Sequence, residues 1–427
     1  MRLHRGKAFI ASVAVLALAL TGCGSSKGSK SGGGVDTSGT KGTGMFADCA
    51  KSPTACNTAT VKKGGTVTYT VEKTVAGWNI NSSNSSTFDL AEILDGVTPG
   101  AFISTPDLKP VPNPDLMVSA EQTKTSPQTL VYKIQPAAVW SDGTPIDATD
   151  FDYQVKTSDG TTCKDCTPAT TSGYDQVQSL TPSDNGKTVT LVMKKPYSDW
   201  QSMFGTLYPA HIAAEHGDLT TPAGLAASFA YLDKTQPTVS GGPYLIKTAD
   251  KTTSVTEVPN PKWYGKVKPS LDQLIFRIFT EQTQEVPALQ NNEVQAIYPQ
   301  PNADIVASVA GLQGVDSYLG KGLNWEHLDF NTTGKVLSDK VLRTAIFTAV
   351  DRNAVISKTI GQFVPGAKPL NNHMYVPAQP GYKDNVSASG QGSGNLGQAK
   401  KLLTDAGYTG VGSALKNKAG DAVSIRC

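Results

Sequence analysis

Trp140-Ser-Asp-Gly-Thr-Pro145-Ile-Asp-Ala-Thr-Asp150-Phe151 joins a tight turn to the start of a helix. Asp142 can bond its own backbone, Gly143 is free to take positive φ and Pro145 fixes φ, so residues 141–145 read as a turn. Trp140 packs that turn as scaffold rather than as a ligand contact, and Asp150-Phe151 starts the helix. On the N-terminal side, residues 65–71 are β-branched after Gly64-Gly65, and 130–134 form a second strand candidate. On the C-terminal side, 188–193 follow the turn residues Asp184-Asn185-Gly186, and 274–279 are almost continuously apolar, as in a strand covered on both faces. Helical spacing follows at Val341, Leu342, Ala345, Ile346, Ala349 and Val350, with Ser338 or Asp339 as cap. A further helix is predicted over 398–406, stopping at Gly407. Strands interleaved with helices give an α/β body.

The 427 residues are 38% hydrophobic and 17% charged, enough apolar content to bury a core, which excludes disorder throughout. At roughly 100–200 residues per domain, two or three domains are expected. Lys and Arg number 38 against 36 Asp and Glu, and Arg2, Arg5 and Lys7 all lie in the first seven residues. Without those three the balance is near neutral, so the body carries no electrostatic footprint for nucleic acid.

Fragments that suggest catalysis fail on context. Gly392-Ser-Gly394-Asn-Leu-Gly397 fits GxGxxG, but no strand precedes it, so it reads as a Gly/Ser linker. No Walker A loop, HExxH or GxSxG elbow is present, and His211 and His216 do not share a helical face as zinc ligands would. Neither a catalytic set, a metal site nor a cofactor is expected, which favours binding over chemistry.

The N-terminus points to export. Arg2, Arg5 and Lys7 precede an apolar run over 8–20 and then Leu20-Thr21-Gly22-Cys23. This is the layout of a secretory signal, and an apolar run of about 13 residues falls short of the roughly 20 a membrane span needs. Leu-Thr-Gly-Cys resembles the bacterial lipobox. That resemblance implies a lipoprotein signal peptide over 1–22 and a diacylglyceryl group on Cys23, with the body lipid-anchored at the extracytoplasmic face of the bacterial cell membrane. Residues 24–44 are Gly, Ser, Thr and Lys with almost nothing apolar, so 23–61 form the anchor and a flexible linker. In an oxidising space Cys49–Cys56 and Cys163–Cys166 are the simplest disulfides, although four cysteines allow three connectivities. For Cys163-Lys-Asp-Cys166, Ser158-Asp159-Gly160 and Thr167-Pro168 make a loop instead of the strand and helix that redox chemistry wants. Zinc is disfavoured because no second close Cys/His pair is present.

Trp140 to Phe151 resembles the W-S-D-G-x-P-x-x-A-x-D-F motif of family 5 solute-binding proteins, the oligopeptide, dipeptide and nickel receptors of ABC importers. Further segments fall in the family's order: Gly241-Gly-Pro-Tyr244, Asn260-Pro-Lys-Trp263-Tyr264, Leu328-Asp-Phe330-Asn331, 341–352 and 399–408. The resemblance implies a two-lobed, periplasmic-binding-protein-like (Venus flytrap) α/β fold with an extra domain in lobe one. Lobe one would span 62–299, with the inserted subdomain at about 100–200, and 300–427 would form part of lobe two. It also implies a monomer that captures an oligopeptide or related small solute in the interlobe cleft and delivers it to an ABC transporter permease and ATPase complex. Ligand-facing candidates are Trp78, Asn79, Asn81 and Ser82 after the first strand, and Asn324 and Trp325 before the F-N strand.

Family members continue beyond the position of Cys427, where 423–425 read as the opening of a strand. Lobe two is therefore expected to be incomplete, with the apolar face of 341–350 poorly covered. Two alternatives stay open: a truncated, non-functional fragment of such a receptor, and an exported hydrolase, disfavoured by the absence of a nucleophile motif.

Overall fold

The computed structural model of the chain describes residues 61–105, 109–319, 325–377, 379 and 381–425. The elements run β1 (Thr66–Val71), α1 (Phe88–Asp95), β2 (Phe102–Ser104), β3 (Pro110–Pro112), β4 (Met117–Thr125), β5 (Gln128–Ile134), α2 (Ala148–Ser158), β6 (Val177–Ser183) and β7 (Thr188–Met193). After these come α3 (Ala210–Glu215), α4 (Pro222–Lys234), β8 (Tyr244–Asp250), β9 (Ser254–Pro259), β10 (Gln273–Ile278), α5 (Glu285–Gln290), α6 (Ala303–Ala310), α7 (Lys340–Ala349), α8 (Arg352–Lys358) and α9 (Leu396–Asp405). No helix among the described residues is long and apolar enough to cross a membrane.

One sheet has the order β1-β10-β9-β8, with β1 and β10 parallel and the other pairs antiparallel. Its position between β1 and β9 explains the apolar run in β10, yet Arg277 is exposed, so that strand is covered less fully than its sequence suggests. Helix α1 packs on the sheet by burying Leu90, Ile93 and Leu94, spaced for one helical face, against Val71, Val255 and Phe276. Thr87 caps α1 by accepting from Leu90 N–H at 3.2 Å.

The second sheet, β4-β5-β7-β6, is antiparallel throughout. Leu130, Tyr132 and Ile134 on β5, with Val189, Leu191 and Met193 on β7, alternate into a core shared with Phe151, Phe204 and Trp140. The hairpin turn is built as its residues require: Asp184, Asn185 and Gly186 take φ of 50°, 51° and 82°.

The Trp140 stretch is scaffold. Trp140 N–H donates to Thr144 O and Gly143 N–H to Trp140 O, both at 2.8 Å, while Gly143 sits at φ 100°. The helix start differs by one detail. Asp147 is the cap of α2, accepting from Thr149 N–H, and Asp150 reaches back to Asp147 N–H at 3.1 Å to close a capping box. Buried Asp150 also accepts from Ala210 N–H at 2.8 Å and Trp140 Nε1 at 3.3 Å. Ser141 and Ser240 exchange hydrogen bonds, and Asn260 Nδ2 donates to Gly242 O at 2.8 Å, so three of the sequence motifs meet at one structural joint.

From 303 to 425 the described residues form helices α6 to α9 and isolated bridges, without a paired strand. Two expectations are corrected here. Leu328 to Asn331 and 423–425 are not strands: the first pairs with no strand among the described residues, and the second makes only a local contact, Val423 N–H donating to Leu415 O at 2.9 Å beside the isolated bridge Lys416–Ala422. The face of α7 is also better covered than expected. Leu342, Ala345 and Thr348 are buried, α9 packs against the helix, and Phe330 stacks on Phe347 at 4.6 Å. Asp339 caps α7 and Asn395 caps α9, while Gly407 takes φ 83° just past the end of α9.

Candidate functional site

Residues 78–82 form a knot rather than an open loop. Trp78 is 1% exposed and packs in the core under α1. Tyr208 OH donates to Trp78 O at 2.7 Å and accepts from Ile80 N–H at 2.8 Å. Asn79 is buried, and its Oδ1 accepts from Asn81 N–H. Half-buried Asn81 spends its amide on Gln154 Oε1 and Thr206 O. Buried Ser82 donates to Asp233 Oδ2 at 3.4 Å. The polar side chains expected to face ligand are thus engaged in joining β1's exit loop to α2 and α4.

The open polar surface lies nearby, at the carboxyl ends of β1 and β10. Residues 295–296 run along the free edge of β1, with Gln295 N–H donating to Thr68 O and Thr70 N–H to Ala296 O. Glu72, the first residue after β1, accepts from Gln282 Nε2 at 2.8 Å and Gln300 N–H at 3.2 Å. One oxygen of Asp89 accepts from both Glu72 N–H and Lys73 N–H. Tyr69 OH donates to Glu92 Oε1 at 2.6 Å, and Thr70 Oγ1 donates to Glu285 Oε2 at 2.7 Å. Glu285 is 0% exposed, no donor among the described residues reaches its Oε1, and the carboxyl of Glu72 lies beside it.

Burial, aided by the charges of Asp89, Asp95 and Glu72, raises Glu92 to about 7 although the Tyr69 hydroxyl pulls the other way. Glu285 is likewise raised to about 7, by burial first and then by Glu72 and Asp89, against the Thr70 hydrogen bond. Exposed Phe88, one turn before Glu92 on α1, meets exposed Tyr298, their ring centroids 5.7 Å apart. In an open α/β sheet the carboxyl ends of the strands are where ligands bind.

A second aromatic group stands at Trp325, which is 40% exposed. Its ring stacks on His327 at 4.1 Å and meets the edge of His373 at 5.0 Å, while His327 Nδ1 pairs with Asp329 at 3.0 Å. Asn324 lies outside the described residues, as do Cys23, Cys49 and Cys56. Cys163 and Cys166 are disulfide-bonded within a core shared with Tyr208, Leu225 and Phe229. Among the described residues, no group of three or more His, Cys, Asp or Glu is placed to hold a metal. The sequence reading missed Glu72, Phe88, Glu285 and Tyr298. They are separated by up to 226 positions in a chain where no local spacing links them.

The sequence model of the bacterial extracellular solute-binding proteins, family 5 (middle portion), matches residues 111–422. The chain belongs to this family. This family 5 protein is 32% identical over 373 residues to the oligopeptide-binding protein OppA of Mycobacterium tuberculosis, the match taking in 86% of this chain and 60% of OppA. Similarity to the dipeptide-binding protein of Escherichia coli is 26% over 235 residues, 55% of this chain and 41% of that protein.

Among solved structures, the periplasmic EDTA-binding protein EppA matches with TM-score 0.75 and 37% identity, over 86% of this chain and 68% of EppA. The oligopeptide-binding protein AppA of Bacillus subtilis, solved with a nonapeptide, matches with TM-score 0.65 at 16% identity over 84% of this chain and 68% of AppA. The family 5 protein therefore has the mixed α/β fold of the periplasmic binding proteins. It spans about 60% of the length of the curated OppA relatives.

Proposed function

We propose that this chain is the binding component of an ABC importer, capturing peptides between a first lobe over 62–299, which carries an inserted subdomain at about 100–200, and a second lobe that begins near 300. The observation that carries the reading is the 32% identity to an oligopeptide-binding protein across 86% of the chain. The parallel carboxyl ends of β1 and β10, next to the passage of the chain from 295 to 302, supply the ligand face. Trp325 presents a platform from the second region. The loop at Trp78, Asn79, Asn81 and Ser82 serves as the anchored wall of the cleft, and Asn324, which precedes Trp325 in the sequence, is a further ligand-binding candidate. Closure of two lobes over an extended peptide lets main-chain hydrogen bonds carry affinity while hydrated pockets tolerate varied side chains.

The Leu20-Thr-Gly-Cys23 sequence supports lipid anchoring at Cys23, with a monomeric body at the extracytoplasmic face delivering solute to permease and ATPase. The test is a random peptide pool passed over the purified protein and read by mass spectrometry. Peptides retained intact are expected; loss of all retention, or cleavage of the pool, would remove the reading. The 37% identity to an EDTA-binding protein favours one second reading, a chelate as cargo. Titration with metal–EDTA separates the two.

A further inference from the structure

We propose that the acidic face at the carboxyl end of β1, built from Glu72 and Glu92 beside the exposed rings of Phe88 and Tyr298, receives a cationic group of the bound solute, an ammonium or a guanidinium. The inference deepens the receptor reading above and rests on it.

Four carboxyl groups converge here from three places: Glu72 after β1, Asp89 and Glu92 on α1, and Glu285 at the start of α5. Among the described residues no lysine, arginine or histidine is within ion-pair distance of any of them. Asp89 is satisfied by the two backbone N–H groups it caps. Glu285 is not. It is fully buried, no donor group among the described residues reaches its Oε1, and the side chain hydrogen-bonded beside it is another carboxyl, that of Glu72, so the two can only share a proton. A carboxyl held among like charges and away from water is costly, and a cation delivered to Glu72 removes much of that cost.

The aromatic pair points to the same chemistry. Phe88 is 53% exposed and Tyr298 is 61% exposed, and ring faces next to carboxylates attract ammonium and guanidinium groups. Glu92 and Glu285 are both raised to about 7, so each is part-protonated near neutral pH, and an arriving cation would drive protons off.

The experiment is calorimetric titration of the full chain with tetra-alanine, its N-acetyl form, Ala-Lys-Ala-Ala, the N-acetyl form of that peptide, and agmatine. At least one of the cation-bearing peptides, tetra-alanine, Ala-Lys-Ala-Ala or its N-acetyl form, is expected to bind about tenfold or more tightly than N-acetyl-tetra-alanine, with a binding enthalpy that changes with the ionisation enthalpy of the buffer. The two acetylated peptides show whether the cation comes from the amino terminus or from the side chain. Glu72→Gln should remove most of the preference. Because Glu72 also ties Gln282 and Gln300, Tyr298→Ala, a surface change, is the second variant and should weaken only the cationic ligands, by roughly threefold. Equal binding of all four peptides, unchanged in both variants, overturns the cation site and leaves the peptide receptor standing. Agmatine bound without any peptide keeps the cation site and removes the peptide reading, and no binding of any probe removes both.

Discussion

Glu257 sits in β9 on the same face as Val255, where strand alternation puts an apolar residue, and it is 0% exposed. Neither carboxylate oxygen has a hydrogen-bond partner. Burial, with the charge of Asp95 added, raises it to about 9, so the folded protein holds a proton there that the unfolded chain releases near its ordinary value of 4.5. A carboxyl raised in the folded state favours folding at low pH, and that contribution is lost as pH climbs toward the folded value. Between about pH 5 and 9 the loss approaches roughly 1.4 kcal/mol per pH unit. Glu257→Gln removes the proton and so should flatten that dependence, gaining on the parent protein as pH rises. Urea midpoints for both proteins at pH 5, 7 and 9 check this, and a difference that stays constant with pH would contradict it. Nothing in Ser254-Val-Thr-Glu-Val-Pro259 signals such a residue, because burial of the glutamate is decided by α1 passing over it, with Gly96 close enough that an added Cβ would stand 3.3 Å from Glu257 Oε2.

Elements were legible where local chemistry decides them. The apolar spacing of 341–350 specifies α7, with the structure choosing Asp339 over Ser338 as its cap, and Asp184-Asn185-Gly186 specifies the hairpin turn before β7. Long-range pairing decides the rest. Leu328 to Asn331 has the composition of a strand and, among the described residues, no neighbour to pair with. The loop at 78–82 has the composition of a ligand surface, yet Tyr208, Gln154 and Asp233, all more than 70 positions away, occupy its polar groups. Asp339 shows a cap that also carries tertiary load. Its Oδ1 accepts from Val341 N–H at 2.7 Å, while its Oδ2 accepts from Tyr408 OH at 2.9 Å and so ties the segment after α9 to the start of α7. Asp339→Ala should therefore cost about 1–3 kcal/mol, the sum of a lost cap and a lost charged hydrogen bond. Tyr408→Phe, which keeps the cap, should cost about 1 kcal/mol. Denaturant midpoints of the two variants test the division, and equal losses would show that the cap contributes nothing.

At the scale of the molecule, burial is unevenly spread. Before residue 300, three clusters built on the two sheets and on α3 with α4 bury most of the large apolar side chains, Trp78, Trp140, Tyr132, Phe151 and Phe204 among them. Among the described residues from 303 to 425, only Leu342, Ala345, Thr348, Asn372, Ala399 and Tyr408 are buried, while Leu328, Met374 and Leu396 stand largely exposed. Local opening is governed by buried apolar contact and by protection of backbone hydrogen bonds, so α6 and α8, which bury no residue, should open first. Limited proteolysis of the full chain should then cut between 303 and 425 at low protease, leaving a resistant fragment that contains 66–278. Within the second region, α7 and α9 should outlast α6 and α8, because α7 and α9 pack against each other and Tyr408 pins the end of that pair. A resistant fragment carrying 300–410, or equal rates of cutting across both regions, would show that contacts beyond this core hold 303–425 in place. A peptide ligand that bridges the face at Glu72 and the platform at Trp325 should slow those cuts in proportion to its occupancy, since binding stabilises only the conformation that binds.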